Sequence, residues 1–363
     1  MRSDRRTFLK TGLKTGLATG ALAALAGVTP ALTHAAVPAG IPAGTPERSV
    51  RKPARLKKGD TVGLIAPAGA VFQRSEITLV TDTLAALGLR WKPGAHLTAR
   101  NGYLAGKDAE RADDLNAMFA DDGVDAVMAV RGGWGCNRIL PLLDYASIAR
   151  HPKILIGYSD ITTLLLALQA RTGLVTFHGP VGSSTWNRFT VDYFTRVLFN
   201  AEAVTMKNPQ DPGDSLIRTK DRVETITPGT ARGRLLGGNL TLVASMIGTE
   251  YLPSWDGAIL FLEDDGEYIY RIDRMLTQLS LAGILRRLAG VVIGKFTNCG
   301  PGEGYGSLTL EDLFADHVRP LGIPAWSGAM IGHLEDKFTV PLGIGAEIDA
   351  GAGTIRLLEP AVL

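Results

Sequence analysis

The stretch "KILIGYSDITTLLLAL", Lys153 to Leu168, decides how this 363-residue chain is read. An aliphatic run stops at Gly157, a serine follows at 159, and a helix-like apolar pattern begins at once. Either Ser159 or Asp160 caps the helix, or Ser159 is a nucleophile held at the end of a strand. A hydroxyl needs a base within hydrogen-bonding reach to act as a nucleophile. A tight strand-to-helix turn exposes such a hydroxyl, and the first N–H groups of the helix can hold an oxyanion beside it. The second glycine of the usual Gly-x-Ser-x-Gly elbow is replaced by Ile161. On this stretch alone a helix cap is the more economical reading.

Working outward, strands and helices alternate. "TVGLIAPAGA" (61–70) reads as a buried strand ending in a Pro/Gly turn, and "ITLVTDTLAALGL" as a helix stopping at Gly88. "DAERADDLNAMFAD" is amphipathic, "VDAVMAV" is an apolar strand, "NRILPLLD" is a short helix and "LVTFHGP" closes the series. Continuous apolar strands between helices predict a parallel sheet covered on both faces. Ligands of such sheets sit at the carboxyl edge of the strands. "APAGA", "RGGWG" and "GYSD" all belong to that edge.

From about Ala201 to Arg232 the pattern gives way to a polar, Pro- and Asp-rich crossover with room for a short strand or two. A second unit follows: "GRLLGGNLTLVASMIGT", the strand "GAILFLED", the helix "YRIDRMLTQLSLAGIL", the strand "LAGVVIGKF" and the helix "SLTLEDLFADHV". Short strands with glycine turns then run to Pro360. The expected fold class is α/β: a parallel-sheet N-terminal domain over 56–200, a linker over 201–232 and a smaller β-rich α+β domain over 233–363.

The N-terminus reads as an address. "SDRRTFLK" places Arg5-Arg6 before Phe8-Leu9-Lys10, which resembles a twin-arginine export signal. A weakly apolar, small-residue region and "THAA" follow, giving a cut at Ala35/Ala36. The apolar run is shorter than the ~20 residues that span a bilayer. The expectation is a signal peptide over 1–35, a flexible tether over 36–55, and an exported, periplasmic protein with no stable membrane span after processing. The leader holds five of the 38 basic and one of the 36 acidic residues, which leaves 33 against 35 in the mature chain. That balance argues against a nucleic-acid partner. Cys136 and Cys299 are too few for a disulfide framework or a four-cysteine metal site, and one bridge between them stays open.

Other residues offer chemistry. Gly132 and Gly133 in "RGGWGCNR" let a ligand approach the backbone, and Arg131 could meet a carboxylate. A Gly-x-Gly-x-x-Gly phosphate loop is not complete, because Arg138 stands in the last position. Among six histidines, His178 in "TFHGP" and His333 in "MIGHLEDKF" are the candidates for a base, and the residues alone do not choose between them. Glu263 ends the apolar run "AILFLE", where a carboxylate is costly unless paired; the alternative is a turn cap. Trp134 and Trp186 would suit either a pocket wall or a core.

The motifs "GYSDIT", "RGGWGCNRILP", "FHGP", "GRLLGGNL", "LFLED" with "YRIDRML", "GVVIGKF" and "GHLEDKFTVPLG" occur in an order that resembles the LD-carboxypeptidase family of serine peptidases, which includes the microcin-immunity peptidases. The resemblance spans about residues 58 to 350. It implies a Rossmann- or flavodoxin-like first domain, a β-rich second domain, a site between them and a homodimer. By motif it implies Ser159 as nucleophile, His333 rather than His178 as base, Glu263 as its orienting carboxylate, and the Gly133 and Asp160 N–H groups as oxyanion donors. No metal or cofactor is implied. The implied substrate is a muropeptide or other small peptide, with D-alanine removed from murein tetrapeptides. The alternatives are a peptidase of microcin-type peptide antibiotics, or an exported peptide- or sugar-binding protein without catalysis.

Overall fold

The computed structural model describes residues 48–211, 214, 216–301 and 306–363. The expected signal peptide and most of the tether lie outside the described residues. Residues 51–55, read above as the end of that tether, are instead held to the fold. Arg51 exchanges backbone hydrogen bonds with Gly173 and Val175, and Arg55 N–H donates to the Leu363 carbonyl.

The first half alternates as β1 (Thr61–Ile65), α1 (Arg74–Ala86), β2 (Arg90–Pro93), α2 (Asp108–Ala120), β3 (Ala126–Ala129), α3 (Cys136–Ile139), α4 (Tyr145–Arg150), β4 (Ile154–Gly157), α5 (Thr162–Thr172), β5 (Thr176–His178) and α6 (Arg188–Leu198). Then come β6 (Thr205–Lys207), β7 (Glu224–Thr227), β8 (Thr230–Asn239), α7 (Leu240–Ser245), β9 (Ile259–Asp265), α8 (Ile269–Leu281), β10 (Gly290–Thr297), α9 (Leu310–His317), β11 (Ala325–Ser327), β12 (Val340–Leu342), β13 (Gly345–Asp349) and β14 (Thr354–Leu357).

Two sheets result. The first has the order β12-β5-β4-β3-β1-β2 and is parallel apart from β12, which runs antiparallel to β5 with Val340 opposite His178. Its inner strands β3 and β4 are buried throughout, as continuous apolar runs require. Two members differ from expectation. β2 is the exposed edge sequence "RWKP", and β12 comes from the far C-terminal region rather than joining the second sheet. The second sheet has the order β6-β14-β13-β8-β9-β10-β11-β7. β8, β9, β10 and β11 are parallel neighbours, and the remaining pairs are antiparallel. The stretch read as a crossover supplies both edge strands, β6 and β7. The architecture is therefore the expected α/β fold with a parallel first sheet and a second, β-rich part.

Helix α5 joins the two. Ten of its eleven residues are buried, and it packs on β4, β5 and β12 of the first sheet and on β8 and α7 of the second part. A helix apolar on all sides belongs in such a place. Its first residue, Thr162, lies against Gly238 of β8. A Cβ on Gly238 would stand 2.5 Å from Thr162 Cγ2, and its φ is +144°. The adjoining Asn239 N–H donates to Thr162 Oγ1 at 3.1 Å. Gly238→Ala is expected to cost roughly 3 kcal/mol, from backbone strain plus overpacking. Chemical denaturation reads this; an unchanged midpoint would show that the contact is not tight.

Candidate active site

Ser159 sits in a 3₁₀ turn, Ser159–Ile161, between β4 and α5. Its φ is +64°, a left-handed conformation that costs a non-glycine residue of order 1–3 kcal/mol. The hydroxyl is not a helix cap: the N-cap residues of the turn and of α5 are Tyr158 and Ile161, and neither position has a side-chain cap bond. Asp160 does not cap the helix either. Its Oδ2 accepts the Cys136 N–H at 2.8 Å, from the glycine-rich loop after β3. Burial raises the Asp160 pKa against this bond.

The three edge loops are tied together. Gly69 N–H donates to Gly132 O at 3.2 Å. Arg111, fully buried on α2, donates to Gly135 O at 2.9 Å and Pro67 O at 2.5 Å, and pairs with Asp108. Gly132 comes so close to the serine that an added Cβ would stand 3.0 Å from Ser159 Cβ. Gly133 has φ +132°, and an added Cβ would stand 2.9 Å from Gly69 Cα. Asp160 follows Ser159 in the turn and Gly133 follows Gly132, which places both backbone N–H groups near the serine.

The second sheet supplies a carboxylate, and the loop that runs from β11 in that sheet to β12 in the first supplies an imidazole. Glu263 on β9 is fully buried, and its Oε2 lies 2.7 Å from His333 Nδ1. Glycine at 332 is required, since a Cβ there would stand 2.8 Å from that oxygen at φ +122°. Burial lowers the His333 pKa, but the Glu263 hydrogen bond and charge, with Asp265 and Asp264, outweigh it and hold it above the ordinary histidine value. Next to Glu263, burial and the Glu263 charge raise Asp264 to about 6. The His333 ring lies edge-on to the Tyr158 ring at 4.9 Å. Tyr158 opens the serine's turn, so the histidine meets that turn through the Tyr158 ring.

His178 is placed differently. It is 2 % exposed, neither ring nitrogen has a hydrogen-bond partner among the described residues, and burial lowers its pKa to about 4. It is a neutral ring packed between Tyr158 and Phe261.

A cavity of about 310 Å³ opens here, with Tyr158, Ser184, Asp265, Asn298, His333 and Lys337 among its walls. The expected contacts Arg131, Trp134 and Trp186 are not in that wall. Arg131 faces Glu76 at 3.6 Å and donates to Ala70 O at 3.3 Å. Trp134 is exposed and meets Tyr103 edge-on, while Trp186 packs on Phe194 and donates to Gly182 O. Sequence reasoning missed Tyr158 and Lys337. Each was signalled only by lying beside a motif residue. Both cysteines are free, which closes the question of a bridge. Among the described residues no cluster of three or more His, Cys, Asp or Glu side chains could hold a metal, and no helix is long and apolar enough to cross a membrane.

A strained serine at a strand-to-helix turn, a glycine-rich loop against it and a carboxylate-bound histidine describe an α/β serine hydrolase. Residues 62–179 match the LD-carboxypeptidase N-terminal domain and residues 232–348 the C-terminal domain. A probable murein peptide carboxypeptidase of Bacillus subtilis is 41 % identical over 307 residues, covering 84 % of this chain and 93 % of that protein. The murein tetrapeptide carboxypeptidase of Pseudomonas aeruginosa is 34 % identical over 303 residues, covering 79 % and 92 %. The structure of the microcin C7 self-immunity protein MccF of Escherichia coli superposes with a TM-score of 0.78 at 26 % identity, covering 86 % of this chain and all of that one. The chain belongs to the LD-carboxypeptidase family and is a serine-type carboxypeptidase.

Glu263→Gln removes the charge that holds the His333 pKa up. In an NMR titration the His333 resonance is expected to titrate above the ordinary histidine value in the native protein and distinctly lower in the variant. An unmoved midpoint would show that Glu263 does not set it.

Proposed function

We propose that this protein removes the C-terminal D-alanine from murein tetrapeptides by a Ser159–His333–Glu263 acyl-enzyme mechanism. The observation that carries the reading is the 2.7 Å contact between His333 and the fully buried Glu263, beside the turn that strains Ser159. Ser159 Oγ attacks the carbonyl carbon of the L-centre that precedes D-alanine. His333 accepts the hydroxyl proton through Nε2, because Nδ1 is bonded to Glu263. The charge on the former carbonyl oxygen falls to the Gly133 and Asp160 N–H groups; one such donor is commonly worth about 3 kcal/mol of barrier. Collapse breaks the C–N bond, and His333 returns the proton to the leaving amine. Water, deprotonated by His333, then attacks the ester and frees Ser159. Glu263 holds the tautomer and stabilises the imidazolium throughout.

Murein peptides are favoured as substrates by the names of the relatives at 34–41 % identity. A second reading, hydrolysis of a microcin-type peptide conjugate, is supported by the MccF overlay. Backbone overlap measures the shared fold, whereas substrate choice lies in cavity side chains. The murein reading therefore comes first.

Mass spectrometry of a muramyl tetrapeptide incubated with the protein should show loss of one alanine. Ser159→Ala should lower the rate by at least ~10⁴-fold. The native rate should fall as pH drops through a value above the usual histidine pKa, because only neutral His333 accepts the proton. Equal turnover by both proteins would exclude Ser159 as nucleophile. Turnover of a microcin-type conjugate alone would move the second reading to the front.

A further inference from the structure

The cavity wall that carries His333 also carries Lys337, four residues further along the loop between β11 and β12. Lys337 is only 4 % exposed. Its backbone N–H donates to Thr190 Oγ1, but its ammonium has no hydrogen bond or ion pair among the described residues. Instead Nζ stands 4.8 Å from the centroid of the Tyr158 ring, the ring that His333 meets at 4.9 Å. The cation and the histidine therefore flank one side chain, and that side chain adjoins Ser159.

A mostly buried ammonium without an acceptor is costly. The nearby acids do not relieve it. Glu263 Oε2 is bonded to His333 and its buried Oε1, without a hydrogen-bond partner among the described residues, makes no ion pair with Lys337; Asp336 bonds the Asn187 side chain, and Asp265 Oδ1 accepts from Asn298 at 2.9 Å. His178 is neutral, and Glu335 is the remaining acid in the wall. Burial lowers the Lys337 pKa to about 8, although Glu263, Asp336 and Glu335 act to raise it. The group is thus still largely charged at neutral pH, and the cavity in front of it suits an anion.

The proposed reaction supplies one. A carboxypeptidase must tell a chain end from an internal bond, and the distinguishing group is the free carboxylate one residue beyond the scissile carbonyl. One residue spans about 3.8 Å of chain, so its receptor must stand close to the nucleophile. Arg131, the cation expected from sequence, is engaged by Glu76 and the Ala70 carbonyl.

We infer that Lys337 is the receptor for the substrate's terminal carboxylate: its ammonium pairs with the carboxylate of the leaving amino acid and makes the enzyme an exopeptidase. The inference rests on the proposed function and names the subsite that selects the chain end.

The test compares a tetrapeptide ending in D-alanine with the same peptide ending in D-alaninamide. The native enzyme should prefer the acid by at least about 30-fold in kcat/KM, the lower range for losing a buried charged partner. Lys337→Met should abolish the preference, chiefly by raising KM for the acid, and Lys337→Arg should keep most of it. A structural role for Lys337 would lower both rates alike and leave the ratio intact, which would overturn the assignment. Should Lys337→Met fail to fold, the native enzyme still decides. KM for the acid should climb as pH passes about 8 while KM for the amide does not; parallel profiles would overturn the assignment. Cleavage of the acid with the ratio unmoved sinks this inference alone. No cleavage of the acid by the native enzyme sinks the proposed function and this inference with it.

Discussion

The site depends on one hydrogen bond between the second sheet and helix α5, from Asn239 N–H to Thr162 Oγ1. Thr162 opens the helix that follows the serine turn. Asn239 ends β8 and stands in register with Glu263 on β9. Glu263 in turn holds His333. Three short links therefore connect the nucleophile's turn to the histidine, and each fixes the next. Gly238 makes the approach feasible, because any side chain there would strike Thr162. The same asparagine caps α7 through Leu242 N–H and donates to Asp264. Asp264 is satisfied further by Thr241 and by the Asp265 N–H, so the acid beside Glu263 serves structure.

Buried charge is concentrated around this joint. Arg111 is fully buried, and its hydrogen bonds to Pro67 and Gly135 carbonyls and its pairing with Asp108 keep two edge loops at a fixed spacing. Asp160 does the same between the serine turn and the loop after β3. Their hydrogen bonds offset much of the desolvation cost these groups carry, although Arg111 Nε is buried without a partner among the described residues. Preorganised dipoles of this kind need no rearrangement as charge develops on a substrate, which is how electrostatic stabilisation becomes large in a water-poor site. Lys337 differs in kind: its ammonium has no hydrogen bond or ion pair among the described residues.

The alternation of apolar strands with helices was legible because both follow from periodicity, and with it came the parallel sheet and its three edge loops. Glu263 was legible for a related reason: a carboxylate at the end of five apolar residues demands a partner. Other features were not. β2 is the polar edge sequence "RWKP", where little burial writes a pattern into the residues. β12 leaves the second half to complete the first sheet, a long-range pairing that local composition does not encode. His178 and His333 carry similar local signals, and what separates them is tertiary: one ring is sealed without partners, the other meets a carboxylate. Arg131 looked free in sequence because Glu76 and Ala70 are more than fifty residues away. Lys337 was hidden for the opposite reason, since a lysine in "LEDKF" reads as solvent-exposed until the loop folds inward.

The central claim is that Ser159 is a nucleophile activated by a histidine on the loop that joins the two sheets. It is tested most directly by intact-mass and peptide-mapping analysis after exposure to a peptide phosphonofluoridate whose phosphorus replaces the scissile carbonyl carbon. The account predicts one phosphonyl group per chain, on Ser159, with labelling slowed at least ~10³-fold in His333→Ala. Labelling at another residue, or at Ser159 with no dependence on His333, would contradict it.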